Sequence, residues 1–307
     1  MKKPCFPILF PGIILGSTLG FLGGWYWFFD LFNHFRFQST ALLLVTLLFL
    51  LLSKRFKKAA LASIAFIPCF WPLLPYLPHQ INNAHTYPTH QIRILYANVY
   101  VDNQEHDKLI QLIREKNPDI VVLLEINQRW SAHLQENLSD FPVQKVTSRE
   151  DCFGIALFSK MPLEISTEHL SSIDTPSFRC VGEISNKKFV LWVTHPLPPI
   201  GQKNWHLRNE HLGNLAGRIA REKESVVVVG DLNTSAWTYG FSQLRKERLQ
   251  DSAEGLGFQP TWPSMWPQFM RVPIDHILHS QEIKILERKV LNNIGSDHFP
   301  LYVRLQL

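Results

Sequence analysis

The hydrophobic and polar positions divide the chain into two regions with different patterns. Before residue 78, three long apolar runs are separated by short polar or basic segments, and these runs are 8–29, 37–53 and 59–77. After residue 91, short apolar runs alternate with polar loops, and several of them consist almost entirely of aliphatic residues, as buried strands do. The pattern therefore predicts a helical N-terminal region followed by a domain that contains both strands and helices.

Residues 1–77 are predicted to form a membrane anchor with about three transmembrane helices. The run 8–29 contains no charged residue and is long enough to cross about 30 Å of hydrocarbon as a helix. The third run contains Pro68, Pro72 and Pro75, so its second half is expected to be kinked or to leave the membrane. A cleaved signal peptide has a shorter apolar core and would not explain the second and third runs.

Basic residues predict the orientation of this anchor. Positive charges lie near the N-terminus, at Lys2 and Lys3, and between the second and third runs, within 54–58. The positive-inside rule assigns both groups to the cytoplasmic side, so three spans would place residue 90 onward outside the cytoplasm. If the proline-rich third run does not cross, the orientation inverts.

The net charge also differs between the two regions. Residues 1–89 contain seven Lys and Arg residues and one acidic residue, Asp30, which gives a net charge of +6. The remaining 24 basic and 25 acidic residues give 90–307 a net charge of −1. The larger region therefore lacks the bulk positive charge that proteins use to bind phosphate polymers.

The four cysteines are too few for a disulfide scaffold and do not have the spacing of a zinc site. Cys152 and Cys180 lie in strand-like stretches of the second region. They either pair, if that region lies in an oxidising compartment, or are two small buried side chains.

Residues 92–307 are predicted to form one α/β domain, joined to the anchor by a polar linker, 78–91. The domain opens with a β-α-β unit, in which a helix over 106–116 connects two strands. The remaining strands and a second helix follow. Along the chain, a strand-rich middle separates two regions in which strands alternate with helices. The predicted strands are 92–101, 120–124, 143–146, 154–159, 163–166, 178–184, 189–194, 225–229, 273–278, 284–290 and 301–305, and the second helix is 205–222.

Polar side chains follow several of these strands. Asn98 lies near the end of the first strand, Glu125 directly follows the second, and His195 follows 189–194. Asp231 and Asn233 come after the valine-rich strand, and residues two apart at a strand end project from the same face. They would therefore lie at the edge of the sheet where α/β proteins bind ligands. An Asx turn that caps the next helix is the alternative.

These residues belong to an ordered series of motifs: Asn98, Glu125, His195, Gly-Asp231-Leu-Asn233, Ile-Asp275-His and Ser-Asp297-His298. The series resembles the deoxyribonuclease-I-like endonuclease/exonuclease/phosphatase superfamily over essentially all of 92–307. The apolar N-terminal region resembles that of the membrane-anchored bacterial branch of this superfamily. The resemblance implies a four-layer α/β sandwich, in which two facing mixed β-sheets are flanked by helices and the site lies at the strand ends between the sheets.

The resemblance also implies a metal site and a phosphate site. Glu125 would be the principal ligand of Mg²⁺ or Mn²⁺, with Asn98 beside it and Asp297 nearby, and oxygen donors of this kind suit Mg²⁺. Asp231 would orient or deprotonate the attacking water, and Asn233 would hold the phosphate.

The remaining polar residues complete this expected site. His195 and His298 would contact the phosphate and stabilise or protonate the leaving oxygen, while Asp275 would hold His298 in its working tautomer. Arg179 is either a further phosphate contact or an ordinary surface arginine. Tyr100 stands where some members have an acid, so either Asp102 substitutes for that acid or the site uses a single metal. His276 is predicted to be structural.

The leading hypothesis is a membrane-anchored, divalent-metal-dependent phosphodiesterase of the nuclease type, with its catalytic domain outside the cytoplasm. The alternatives are a phospholipid or sphingomyelin phosphodiesterase, or a catalytically silent tethered binding domain on the same fold. The expected partners are a phosphoester substrate, either a nucleic acid or a lipid headgroup, and the bilayer around 1–77; no obligate protein partner is inferred. Aromatic residues at 237–239 and 262–266 either stack on bases, contact the bilayer interface or pack locally.

Overall fold

A computed structural model of the chain describes residues 6–79, 90–247 and 249–307. Lys2, Lys3, Cys5 and most of the predicted linker lie outside the described residues. The α-helices are α1 (Phe6–Thr18), α2 (Trp27–His34), α3 (Arg36–Leu52), α4 (Phe56–Phe70), α5 (His106–Lys116), α6 (Gln128–Asn137), α7 (Gln202–Ile219) and α8 (Tyr239–Lys246). The strands are β1 (Gln91–Asn98), β2 (Ile120–Leu124), β3 (Val143–Thr147), β4 (Ile155–Ser159), β5 (Leu163–His169), β6 (Pro176–Ile184), β7 (Lys187–Val193), β8 (Ser225–Asp231), β9 (Gln250–Asp251), β10 (Asp275–His279), β11 (Lys284–Val290) and β12 (Leu301–Gln306).

The strands form two six-stranded mixed sheets. The first has the order β11-β12-β1-β2-β4-β3 and the second the order β5-β6-β7-β8-β10-β9. Each sheet has a parallel pair near its centre, β1 with β2 in the first and β7 with β8 in the second, and the other neighbours are antiparallel. Polar residues that follow the parallel strands therefore come to one edge of the sandwich.

The valine-rich and leucine-rich strands are continuously apolar because both of their faces are buried. In β8, Val227 and Val229 face the core between the two sheets, while Val226 and Val228 face α7 and α8. The side chains of β2 alternate in the same way. One set faces the core between the sheets, and the other faces the core under α5 and α6. The result is a four-layer α/β sandwich, as expected from the sequence.

The N-terminal helices α1, α3 and α4 pack against one another through small apolar clusters. Phe10 of α1 contacts a cluster that includes Leu50, Ala59 and Ala62. α3 and α4 are joined by a short turn that lies within the basic segment 54–58. Many of the outward-facing side chains of these helices are large, apolar and exposed, as on helices that meet lipid.

The apolar runs differ in their capacity to cross a membrane. Phe56–Tyr76 is one continuous helical stretch, long and apolar enough to do so, whereas Arg36–Leu52 is apolar but shorter. The first run is bent and not one continuous helix: Phe10–Leu22 and Trp27–His34 meet at an angle of 114°. The described residues thus contain one candidate span, or two if the bent pair is counted as one, and a third crossing stays a prediction.

The bent segment turns α2 onto the α/β domain, where Asp30 of α2 is buried. Its carboxylate accepts hydrogen bonds from Trp205 Nε1 at 2.9 Å, Arg208 Nη2 at 2.7 Å and the Tyr239 backbone N–H at 3.0 Å. Asp30 and Arg208 form an ion pair whose side chains are 1 % and 0 % exposed. A charged pair from two distant parts of the sequence therefore joins the N-terminal region to the α/β domain.

The 3-10 helix Trp71–Tyr76 that follows α4 is bonded to the same domain. Gly255 N–H donates to the Pro75 carbonyl at 2.8 Å, and His79 N–H donates to the Gly255 carbonyl at 3.1 Å. On the other side of the linker, Leu307 N–H donates to the His90 carbonyl at 3.1 Å. The described residues at both ends of the linker are thus held on the α/β domain.

Cys152 and Cys180 do not pair in this structure. Cys152 is exposed, Cys180 is buried in the inter-sheet core, and both are free thiols. Burial raises the pKa of the Cys180 thiol to about 12, which makes it an inert apolar side chain.

Candidate active site

The two sheets bring polar side chains together at one edge of the sandwich. Each of these residues ends a strand, begins one or lies in the adjacent loop, where the backbone leaves the apolar core. The residues are Asn98 of β1, Glu125 after β2, His195 after β7, Asp231 of β8, Asp275 of β10 and His298 before β12.

The central group is Asp231, whose carboxylate is buried between two imidazoles. Its Oδ2 lies 3.6 Å from Nε2 of His195 and 3.6 Å from Nε2 of His298, and its Oδ1 accepts the Asn233 backbone N–H at 2.8 Å. Burial alone would raise the pKa of Asp231, but the two histidines and the Asn233 amide outweigh it and lower the pKa. The carboxylate is therefore kept ionised despite its burial.

A chain of hydrogen bonds fixes His298. Its Nδ1 lies 2.8 Å from Asp275 Oδ2, and the other oxygen, Asp275 Oδ1, accepts a hydrogen bond from the Tyr96 hydroxyl at 2.6 Å. This arrangement leaves Nε2 directed toward Asp231. Burial alone would lower the pKa of His298, but Asp275 and Asp231, with a smaller contribution from Asp297, raise it to about 10. His298 is consequently an imidazolium near neutral pH.

His195 is positioned by the close contact of β7 with β8. A Cβ added at Gly230 would lie 1.9 Å from the Thr194 carbonyl oxygen, so only glycine lets the two strands approach beside His195. The Thr194 side chain in turn lies 2.6 Å from Nε2 of His211. Burial, followed by the nearby His195, lowers the pKa of His211 to about 3, and His211 is therefore a neutral hydrogen-bonding partner.

Glu125 and Asn98 form a second polar group beside Asp231. Asn98 Nδ2 lies 2.9 Å from Glu125 Oε1 and 3.4 Å from Asp231 Oδ2, and Val101 N–H donates to Glu125 Oε2 at 3.2 Å. Burial raises the pKa of Glu125, and His195, the Asn98 side chain and His298 oppose that rise, so a further cation nearby would stabilise the ionised form. Glu125 also has a φ of 63°, a strained conformation for a residue with a side chain.

Asp297 supplies a free oxygen to the same edge. Trp262 Nε1 donates to Asp297 Oδ2 at 3.1 Å, whereas Oδ1 is buried and has no hydrogen-bond partner among the described residues. An orphaned carboxylate oxygen and a carboxylate destabilised by burial fit an oxygen-liganded divalent cation such as Mg²⁺ or Mn²⁺. In this structure Asn98 Oδ1 accepts the Tyr100 N–H at 3.1 Å. If this oxygen also bound a metal, it would serve as ligand and hydrogen-bond acceptor at once.

Asp231, Asp275 and His298 also have ligand atoms within 4.8 Å of one another, as metal ligands do. We assign these three residues to hydrogen bonding because both oxygens of Asp275 already accept a hydrogen bond, from Tyr96 and His298. Mg²⁺, moreover, prefers oxygen donors to a histidine nitrogen.

The structure does not bring every predicted residue to this edge. Arg179 lies on β6 and forms two 2.7 Å bonds to the Glu222 carboxylate, so its guanidinium is already neutralised. Asp102 is exposed in the turn after β1, where it raises the pKa of the Tyr100 hydroxyl. His276 is buried away from the site between Asp251 and the Thr234 carbonyl, which agrees with the structural role predicted for it.

Two residues of the site were missed by sequence reasoning. Tyr96 lies two positions before Asn98 on β1 and so faces the same side of the strand, toward Asp275 of the other sheet. Ser296 Oγ donates to the Asn98 carbonyl at 2.8 Å and accepts the His298 N–H at 3.0 Å. It thereby joins the loop before β12 to the end of β1.

The model of the endonuclease/exonuclease/phosphatase family matches residues 95–298, about two thirds of the chain and all of the strand ends described above. The chain belongs to this family. Its members are typically hydrolases that use divalent metals, and the unpaired oxygen of Asp297 beside the buried Glu125 is consistent with a metal site.

Solved structures confirm the fold at low sequence identity. A humanised TDP2 from D. rerio matches with a TM-score of 0.60 and 15% identity, covering 71% of this chain and 99% of that one. D. rerio TDP2 in complex with a single-stranded DNA product matches with a TM-score of 0.59 and 17% identity, covering 71% and 99%. A family protein from Bacteroides thetaiotaomicron matches with a TM-score of 0.58 and 17% identity, covering 71% and 98%. No curated protein sequence matches the chain.

Proposed function

We propose that this protein is a divalent-metal-dependent phosphodiesterase, anchored in a membrane by residues 1–77. The observation that carries the proposal is the ionised Asp231 held between two imidazoles, one of which is fixed by Asp275. A base and a cationic donor thus lie 3.6 Å apart at one edge of the sandwich, where both can contact a phosphoester and the water that attacks it, as its hydrolysis requires.

Each side chain of this group then has a defined task. Asp231 accepts a proton from the attacking water or orients it, because it is the ionised group with its Oδ2 free of backbone donors. His298 donates from Nε2 to a phosphoryl oxygen and stabilises the charge that develops there, while Asp275 and Tyr96 hold its ring. His195 supports the opposite side of the phosphate and protonates or stabilises the leaving oxygen.

Glu125, Asp297 and Asn98 are the residues that would hold the divalent cation. When bound, such an ion polarises the phosphoryl group and neutralises its charge. Burial raises the pKa of Glu125, and a cation bound beside it would lower that pKa. Metal binding should therefore be coupled to the ionisation of Glu125.

The arrangement of the N-terminal helices supports the extracytoplasmic orientation. α3 contains 17 residues and is thus about 26 Å long. It has Arg36 and Gln38 at the end near the α/β domain, where Gln38 Nε2 donates to the Arg271 carbonyl at 2.7 Å. The basic segment 54–58 follows its opposite end. The basic residues of 54–58 are thus separated from the α/β domain by the length of an apolar helix, as the positive-inside rule expects for an outer domain.

The substrate class has support from two directions. The match to TDP2 bound to a DNA product favours a nucleic acid. The net charge of −1 over 90–307 does not favour tight binding of a long duplex, and the proximity of the N-terminal helices favours a lipid phosphodiester.

The function is tested with the full chain in detergent, because Arg208 of the α/β domain is paired with a residue of the N-terminal region. Single-stranded DNA, duplex DNA, sphingomyelin and a chromogenic phosphodiester are each supplied with Mg²⁺, Mn²⁺ or EDTA. His298→Ala and Asp231→Asn are compared with Asp107→Asn, whose side chain is 97% exposed.

We expect metal-dependent turnover that falls by at least about 100-fold in the first two variants and is unchanged in the third. Turnover that persists in both site variants would refute the assignment of the site. A folded protein that binds Mn²⁺ but hydrolyses none of the substrates would refute these substrate classes. If it binds no metal either, the silent binding domain becomes the better explanation.

A further inference from the structure

The loop 264–270, here called the apolar loop, exposes a cluster of large hydrophobic side chains on the surface of the α/β domain. Met265 is 73% exposed and Phe269 is 70% exposed, and Trp266 and Met270 beside them are also exposed. Four such side chains in seven residues are unusual for a surface that meets only water.

The apolar loop is continuous with the surface of the N-terminal helices. A groove of about 450 Å³ lies between them, and it is lined by Phe35, Phe37, Gln38 and Ala41 on one side and by Phe258, Trp266, Phe269 and Met270 on the other. Phe37 and Phe258 stack with their ring centroids 4.3 Å apart. The loop therefore lies beside the first turn of α3, from which the exposed apolar surface of that helix extends.

Exposed aromatic residues occur at the same end of the helices. Trp25 and Tyr26 lie in the bend before α2, and Trp71 begins the 3-10 helix that docks on the α/β domain. Tyr239 of the α/β domain lies against Gly24 of the bend, and Trp266 lies in the apolar loop. Tryptophan and tyrosine are enriched where a protein crosses from hydrocarbon to water, so this end of the helices has the composition of a membrane interface.

The base of the apolar loop is bonded to the catalytic segment. Ser264 N–H donates to the Asp297 carbonyl at 2.7 Å, and Ser264 Oγ donates to the Ser296 carbonyl at 2.7 Å. Just before the loop, Trp262 donates to the Asp297 side chain. At its other end, Arg271 Nε donates to the Trp266 carbonyl at 2.6 Å, which closes the loop on itself. The base of the loop is thus fixed to the segment that carries Asp297.

We propose that the apolar loop inserts into the bilayer interface at the foot of the N-terminal helices and turns the active site toward the lipid surface. The substrate is then the phosphodiester of a membrane-embedded amphiphile, whose headgroup lies at the depth of Asp297 and His298. The assignment of the substrate rests on the proposed hydrolase function, whereas the insertion of the loop does not.

Insertion is tested by site-specific labelling of the full chain in vesicles of phosphatidylcholine and phosphatidylglycerol. Cys5 and the exposed Cys152 are first replaced by Ser, and an environment-sensitive fluorophore is attached to Met265→Cys or Phe269→Cys. Ser139→Cys, at an exposed position after α6, is the matched control. We expect quenchers on the lipid acyl chains to quench the labels at 265 and 269 but not at 139. A label at 265 and 269 that stays as water-exposed as the control would overturn the proposal.

The substrate class is tested with the double variant Met265→Ser, Phe269→Ser. We expect hydrolysis of a phosphodiester lipid in vesicles to fall by about tenfold or more, in line with the apolar burial lost, while turnover of a soluble chromogenic phosphodiester is unchanged. Equal losses on both substrates would mean that the loop only supports the site, and a selective loss on single-stranded DNA would mean that it stacks on bases; either result overturns the lipid assignment. If the unmodified protein hydrolyses nothing while the labels are quenched, the proposed hydrolase function fails and the insertion stands.

Discussion

Removal of the charge of Asp30 is expected to destabilise the α/β domain although Asp30 lies in the N-terminal region. Asp30→Asn keeps the shape of the side chain but leaves Arg208, which is 0% exposed, without a negative partner. Burial lowers the pKa of Arg208, and Asp30 opposes that effect. Breaking a buried ion pair by removal of one partner typically costs about 3–5 kcal/mol.

The same substitution is expected to disturb the loop after β8, which carries Asn233 at the candidate site. Arg208 Nη1 donates to the Asn233 carbonyl at 2.9 Å, and Asn233, with a φ of 48°, supplies the N–H that binds Asp231. A guanidinium that has lost Asp30 will shift toward another acceptor or toward water. We therefore expect lower turnover together with lower stability.

Thermal unfolding of the detergent-solubilised full chain, followed by tryptophan fluorescence, measures the first effect. For a domain of this size the loss corresponds to a fall in Tm of about 10 °C. Asp107→Asn, which removes an exposed carboxylate, controls for the change in net charge. The double variant Asp30→Asn, Arg208→Gln should recover part of the loss, because it leaves no unpaired charge.

Equal Tm values for Asp30→Asn and Asp107→Asn would refute this reasoning. So would strictly additive effects of the two substitutions at Asp30 and Arg208, since residues joined by a 2.7 Å ion pair should be coupled.

Three further predictions concern single side chains. Tyr96→Phe removes the hydrogen bond to Asp275, and kcat should fall about tenfold or more with little change in KM; unchanged kcat would show that Asp275 needs no such support. Arg179→Gln should leave activity within about twofold because Arg179 is paired with Glu222. A loss as large as that of a site variant would show instead that Arg179 contacts the phosphate. His211 has a folded pKa of about 3 against about 6.5 when unfolded, so the unfolded state alone gains a proton as the pH falls below 6.5. The free energy of unfolding should therefore drop by about 2 kcal/mol between about pH 7.5 and 5, and His211→Gln should lack this contribution in urea titrations at the two pH values.

The strand-end residues of the site could be predicted from the sequence because they interrupt otherwise apolar runs. Glu125 follows five buried aliphatic residues and Asp231 ends a valine-rich strand, so local pattern alone places both at a sheet edge. Tyr96 was overlooked because an aromatic residue in a strand ordinarily packs in the core. Its hydroxyl becomes informative only once Asp275 of the facing sheet is known to lie 2.6 Å away.

Contacts between distant segments could not be predicted in the same way. Asp30 is the only acidic residue before residue 90, and a lone acid in apolar sequence indicates that it has a buried partner. The sequence around Asp30 does not identify that partner as Arg208, which lies 178 positions later. Hydropathy likewise gives the length of an apolar run and not its direction. The 114° turn between Phe10–Leu22 and Trp27–His34 is therefore invisible to it, although that turn is what brings Asp30 to the domain.

The attachment of both ends of the linker has a consequence for how the enzyme meets its substrate. A flexible tether lets a domain move through a volume around its anchor. The effective concentration of the domain at a nearby substrate then depends on the length of the tether. Here His79 and His90 are both bonded to the domain, and the 3-10 helix before them is docked on it, so residues between them do not set the reach of the site. Lengthening that segment should leave the kinetics unaltered. If the protein is anchored in a membrane as proposed, the reaction should scale with substrate density in two dimensions, at one fixed height above the membrane plane.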